Sequence, residues 1–192
     1  MNNTNDPLGR FFPRRGESVL VVVDIQEKLS NAMNPEEMGR VTDNVVRSIQ
    51  GAHALHVSVM VTEQYPKGLG PTIPQIREIL GEELALEKVV FSCCGAPDFL
   101  EQLQRTKATA VVLVGMETHV CVLQTALDLL KRGYDVQILA DAVISRNPEN
   151  KKIGVDLMRE AGAVISSTET VLFQWTEKAG TEEFKMISKW VR

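Results

Sequence analysis

The sequence predicts a three-layer α/β protein: a six-stranded parallel sheet with helices on both faces, Rossmann-like in plan. Three observations predict it. Short β-branched apolar runs recur along the chain, each followed by a stretch with helical spacing. The strongest runs, 19–23 and 110–114, are continuously apolar rather than alternating, as in strands buried on both faces. Strand and helix then alternate throughout with no internal repeat, which favours parallel neighbours. At 192 residues the chain suits one domain with a substantial core. We divide it into an N-terminal arm, residues 1–17, and a single domain, residues 18–192, ending in a helical tail.

The arm holds Asn, Asp, Pro, Gly and Arg without periodicity, and Phe11-Phe12-Pro13 is expected to pin it against the domain or a neighbouring subunit. The first strand covers 18–25. Asn34-Pro35 opens a helix carrying Met38, Val41, Val45, Ile49 and Ala52 at helical spacing, with His53 and His56 as packing or capping groups near its end. A second strand, 57–62, leads into 63–74, where Pro66, Gly68, Gly70, Pro71 and Pro74 make a rigid, shaped loop. Loops beyond a strand's carboxyl end are where α/β folds place ligand contacts. A short helix at 73–80 precedes a third strand, 86–91, interrupted by Glu87-Lys88, and a helix at 98–105 follows. The fourth strand, 108–114, passes through Gly115 into a helix with Cys121 in its first turn. A fifth strand spans 134–140 and ends at Asp141. Next come a helix at 148–161 with Ile153, Leu157 and Met158 inward, a sixth strand at 163–166 and a helix at 168–175. The tail, 181–191, sets Phe184, Ile187, Trp190 and Val191 on one face, which asks for a partner surface such as another subunit.

Composition narrows the function. A net charge of -4 leaves no basic footprint for nucleic acid or an anionic membrane. No apolar run approaches the length needed to span a bilayer, and 19–23 is too short for a signal sequence. Three cysteines, two of them adjacent at Cys93-Cys94, suit a reducing compartment, so the cytoplasm is expected and these two are read as structural or incidental. Neither paired Cys/His spacing for structural zinc, nor a Gly-x-Gly-x-x-Gly after the first strand, nor a phosphate-binding P-loop occurs. No cofactor is expected, and a small molecule is the expected partner.

Three polar residues fall at strand ends: Asp24 after the first, Lys88 at the third and Cys121 after the fourth. A cysteine facing the sheet from a helix start is more often packing than catalysis. Its place beside the other two changes that. The backbone N–H groups of a helix start favour thiolate over thiol. Asp24 would take the thiol proton and Lys88 would hold the resulting thiolate by charge. Cys121 would then attack a carbonyl carbon, with the N–H groups of Glu117 and Cys121 receiving the oxyanion. Protonated Asp24 would return its proton to a departing amine, then activate water. Gln64, Tyr65 and Phe91, with Gln26 and His119 nearby in sequence, are candidates to line the pocket. A thiol redox protein using Cys121 with Cys93 or Cys94, a nucleotide or small-molecule binder of the same fold, and a non-catalytic assembly protein stand as alternatives.

Val-Val-Asp24-Ile-Gln26, Glu87-Lys88-Val-Val-Phe91 and the block Gly115-Met-Glu-Thr-His-Val-Cys121-Val122 together resemble the Asp, Lys and Cys triad of the isochorismatase-like cysteine hydrolases. The resemblance runs over about 18–175. It implies an acyl-enzyme mechanism, a homo-oligomer, and a cis peptide at Met116-Glu117 whose value would be to aim the Glu117 N–H at the oxyanion. Nicotinamidase-type members carry an Asp-x-His and a further His after the second strand, binding a metal. This chain has Thr62-Glu-Gln-Tyr65-Pro there, so no metal is expected. The expectation is a metal-independent cysteine hydrolase of a small amide or related carbonyl compound, working through a thioester.

Overall fold

The computed structural model describes residues 8–81 and 85–191. Six parallel strands form one sheet in the order β3-β2-β1-β4-β5-β6. They are β1 (Ser18–Val23), β2 (Ser58–Gln64), β3 (Leu86–Lys88), β4 (Ala110–Met116), β5 (Asp135–Ile144) and β6 (Val164–Ser166). The helices are α1 (Glu27–Ser30), α2 (Pro35–Ala54), α3 (Pro66–Leu69), α4 (Pro74–Leu80), α5 (Phe99–Thr106), α6 (Leu123–Lys131), α7 (Pro148–Glu160), α8 (Thr168–Thr176) and α9 (Glu182–Trp190). Strand order reverses at β1, so the carboxyl ends of β1, β2 and β4 border the crevice where such sheets bind ligands.

The continuous apolar runs have the predicted reason. Leu20, Val22, Val112 and Val114 face one core layer with Val45 and Ile49 of α2, Ile76 of α4 and Trp175 of α8. Val19, Val21, Val111 and Leu113 face the other with Phe99 of α5, Leu129 of α6 and Met158 of α7. Each of these strands is covered twice, so no position needs a polar residue until the strand ends.

Several boundaries differ from expectation. β3 stops at Lys88, because the backbone after it turns so that two carbonyls face the Lys88 ammonium. β5 runs on past Asp141 to Ile144 through an irregular stretch of its pairing with β4, and the Asp141 carboxylate instead caps the start of α8 at Thr168 N, 2.9 Å. On α7, Met158 is buried but Ile153 and Leu157 are exposed, so its inward stripe is narrower than expected and Gly154 carries part of it. His53 and His56 lie exposed, and His56 takes the left-handed conformation that ends the turn after α2. In the arm, Pro13 is buried while Phe11 and Phe12 are exposed. What ties it down is polar: Gln137 and Gln174 donate to the carbonyls of Arg10 and Phe11 at 3.0 and 2.8 Å. Residues 1–7 of the arm lie outside the described residues. Much of the tail's apolar face is used within the chain. Ile187 of α9 is fully buried in the core beside α2 and α8, Trp190 and Val191 pack at its edge, and Phe184 meets Phe173 with ring centroids 6.1 Å apart.

One glycine is set by a close approach. Gly115, at φ +122°, lies so near β1 that a Cβ would fall on the carbonyl oxygen of Val23. Gly115→Ala is expected to cost about 3 kcal/mol or more, because backbone must move on both central strands. A thermal-denaturation series should show it as the largest loss among Gly→Ala variants, with exposed Gly16→Ala near neutral.

Candidate active site

Asp24 is the first residue past β1. Its backbone N–H still pairs with Thr62 O at 3.1 Å, but its φ of +52° swings the chain out of the sheet. Asp is among the few residues that adopt this conformation at modest cost. The turn leaves the carboxylate fully buried, where it accepts from Lys88 Nζ at 2.6 Å through Oδ2 and from Thr62 Oγ1 at 2.7 Å through Oδ1.

Lys88 closes β3, two strands from Asp24, and reaches across the end of β2. Its ammonium has no solvent exposure and donates to Asp24, to Gln64 Oε1 at 2.7 Å, and to the carbonyls of Phe91 and Val90 at 3.0 and 3.3 Å. Burial alone would lower its pKa. The facing Asp24 carboxylate, by its charge and its hydrogen bond, leads the groups that outweigh burial and hold Lys88 above the usual lysine value.

Cys121 follows β4. The Met116-Glu117 peptide is cis, and Thr118–Val122 form a single π-helical turn before α6. α7 packs closely on this turn: a Cβ at Gly154 would stand 2.9 Å from His119 Cα. The Cys121 thiol is buried, near enough to Asp24 and Lys88 to feel both charges. Burial, then the Asp24 charge, push it well above the usual thiol range, and Lys88 only partly opposes them. Against the pull of the helix start toward thiolate, burial favours the thiol form at rest, the form from which Asp24 would take the proton. The lysine charge is already engaged by Asp24, and the desolvated sulfur keeps its proton.

The other pocket candidates divide. Gln26 is fully buried, and its amide completes the sheet edge: Oε1 accepts from Gln64 N at 2.8 Å, while Nε2 donates to Gln64 O and Gly70 O at 3.0 and 2.6 Å. Gln64 bridges Lys88 and Val89 O. Both build the site's wall rather than face a ligand. Tyr65 and Phe91 are exposed at its rim. Tyr65 borders a cleft of about 470 Å³ shared with Pro66, Lys67, Val90 and Pro97, which reaches Lys88. His119 is turned to Ser145, Nδ1 to Oγ 3.0 Å, and Asn150. The Glu117 carboxylate, also buried, accepts from Arg146 N and Nε at 2.9 and 3.1 Å.

Sequence reasoning missed Cys93. Read there as structural or incidental, it is fully buried and stands 3.6 Å from Thr62 Oγ1, beside the Asp24 carboxylate. Burial and that carboxylate push its thiol up to about 12. Cys94 is also buried, with its thiol raised to about 11, chiefly by burial.

An isochorismatase-domain model matches residues 18–170, most of the chain and all the residues just described. The chain belongs to the isochorismatase family. Its members are hydrolases. It is 37% identical to isochorismatase family protein 1B of Dictyostelium discoideum, over 94% of this chain and 87% of that one. It is 36% identical to the secreted isochorismatase effector Isc1 of Phytophthora sojae, over 100% of this chain and 91% of that one. Among solved structures, the MAR1 ribonuclease of Caenorhabditis elegans superposes with a TM-score of 0.86 at 35% identity, covering 93% of this chain and 91% of that one. Among the described residues of this isochorismatase-family chain, no helix is long and apolar enough to cross a membrane.

The raised thiols and ammonium tie stability to pH. Each of these groups binds its proton more tightly when folded, so its contribution is complete below the unfolded value and is lost as pH climbs toward the folded one. For Cys93 the window runs from 9.0 to about 12. Lys88 adds to the loss above 10.5. The thermal midpoint is expected to fall as pH rises from 8 to 10.5, and to fall less in Cys93→Ala.

Proposed function

We propose that this protein is a metal-independent cysteine hydrolase of small amides, with Asp24, Lys88 and Cys121 as its catalytic residues. The observation that carries the reading is that a buried ammonium bonds to a buried carboxylate at the sheet's switch point, with the buried Cys121 thiol beside them. Asp24 takes the Cys121 proton as sulfur attacks the amide carbonyl carbon. The new anion then lies beside Lys88, whose charge is released from Asp24 in the same step. The N–H groups of Glu117 and Cys121 receive the oxyanion. Collapse of the tetrahedral intermediate breaks the C–N bond, and Asp24 returns the proton to the departing amine. Asp24 next removes a proton from water, which attacks the thioester, and the carboxylic acid leaves with Cys121 again a thiol.

The cleft that reaches Lys88 is lined by Tyr65, Pro66, Val89, Val90 and Pro97 together with the charged Lys67 and Glu87. We read it as the approach to the triad for a small carboxamide. The retained Cys121 favours this over vinyl-ether cleavage. The three free cysteines suit a cytoplasmic location, and the family resemblance supports a homo-oligomer.

A panel of such carboxamides, followed by ammonia release and intact mass, tests the reading. An acyl adduct on Cys121 is expected, and Cys121→Ala should lose about a thousandfold or more in rate. RNA belongs in the panel because the C. elegans neighbour is named a ribonuclease. Amide hydrolysis at the parent rate in Cys121→Ala would end the proposal.

A further inference from the structure

The carboxylate of Asp24 is bonded on its second oxygen as well, by a hydroxyl the proposed mechanism does not use. Four side chains face it: Lys88 from β3, Cys121 from the turn after β4, Thr62 from β2, and Cys93 behind Thr62. Thr62, Cys93 and Thr125 have essentially no solvent exposure.

The protons in this cluster can be assigned by counting. Asp24, paired with an ammonium, only accepts, so the single Thr62 hydroxyl proton points to Oδ1. The Thr62 oxygen is then an acceptor toward Cys93, and the 3.6 Å contact runs from the thiol S–H to the hydroxyl. That direction agrees with a Cys93 thiol that stays protonated at neutral pH. Cys93 is itself anchored on α6. Its N–H donates to Thr125 Oγ1 at 2.9 Å. Thr125 sits one helical turn beyond Cys121. A closed circuit therefore runs from the cysteine's own helix through Cys93 and Thr62 to the carboxylate that faces that cysteine.

We infer that Thr62 and Cys93 are positioning residues, holding the Asp24 carboxylate in the one plane that serves Lys88 and Cys121 together. The inference rests on the reading of Asp24 as the base for Cys121. A carboxylate turns easily about its last torsion, and one ammonium contact fixes a point rather than a plane. The Thr62 bond to the other oxygen supplies the second constraint, and Cys93 orients Thr62. An unfixed carboxylate would turn toward Lys88 and away from the thiol, and proton transfer is sensitive to such misplacement.

The test uses iodoacetamide, with modification of Cys121 followed at neutral pH by peptide mass, so no substrate need be known. Thr62→Val, of nearly the same shape, should slow Cys121 alkylation about tenfold, and Thr62→Ser should recover it to within about twofold. Cys93→Ala should slow it by a smaller factor, about threefold, and Cys93→Ser should restore it. Thermal midpoints taken beside each rate separate positioning from unfolding, and the Cys93 pair decides the matter if Thr62→Val does not fold. Alkylation of folded Thr62→Val at the parent rate, or failure of Thr62→Ser to recover, overturns the inference. Asp24→Asn is the control on the underlying reading. If it is alkylated like the parent, Asp24 is not the base and both fall; if it is slow while Thr62→Val is fast, only the inference falls.

Discussion

The ion pair between Asp24 and Lys88 is the constraint on which the rest of the site depends. Neither side chain touches solvent, and their atoms meet at 2.6 Å. A lone buried charge is strongly unfavourable, so each is tolerable only because the other is there and because further hydrogen bonds complete both. The ammonium takes Gln64 and two carbonyls, and the carboxylate takes Thr62. These needs dictate local backbone. β3 ends early so that Val90 and Phe91 can turn their carbonyls to Lys88, which sends the side chains of Val89, Val90 and Phe91 outward. The same pair sets the state of the nucleophile. With the lysine charge engaged by Asp24, Lys88 offsets only part of the cost of a buried thiolate, so sulfur holds its proton until Asp24 takes it.

The fold brings these groups together by topology rather than by local sequence. Asp24 and Lys88 are 64 residues apart, yet β1 and β3 flank β2, and their carboxyl ends lie on one edge of the sheet. β4 lies on the other side of β1, which places the turn carrying Cys121 over the same end. Gly115 permits the close contact of β4 with β1, and Gly154 permits that of α7 with the turn. Small residues at these two points bring the thiol to the carboxylate.

Much of this was legible in the sequence. Continuously apolar runs announce doubly covered strands, and Asp24, a charged residue ending such a run, announces a strand end facing a crevice; Lys88, inside the expected 86–91 strand, and Cys121, at a helix start, were singled out by their place beside it and by the family resemblance. What was not legible depends on partners distant in sequence. Cys93 gains its meaning from Thr62, 31 residues away on another strand, and no periodicity marks that contact. Gln26 looked like a pocket residue because it follows Asp24, but the end of β2 needed hydrogen-bond partners and took its amide. The apolar face of α9 looked unpartnered because α2 and α8 leave a gap that only the packed chain reveals. The strength of the thiol's hold on its proton was not legible either: a helix start favours thiolate, but burial and the neighbouring Asp24 charge are tertiary facts.

The chemistry of the site turns on whether Cys121 rests as a thiol beside Asp24 or as a thiolate held on Lys88. Ultraviolet thiolate absorbance, taken as the difference between the parent and Cys121→Ala across a pH series, measures this directly. No Cys121 thiolate signal is expected at pH 7, with its onset lying above the ordinary thiol range. A full thiolate signal for Cys121 at pH 7 would contradict a resting thiol.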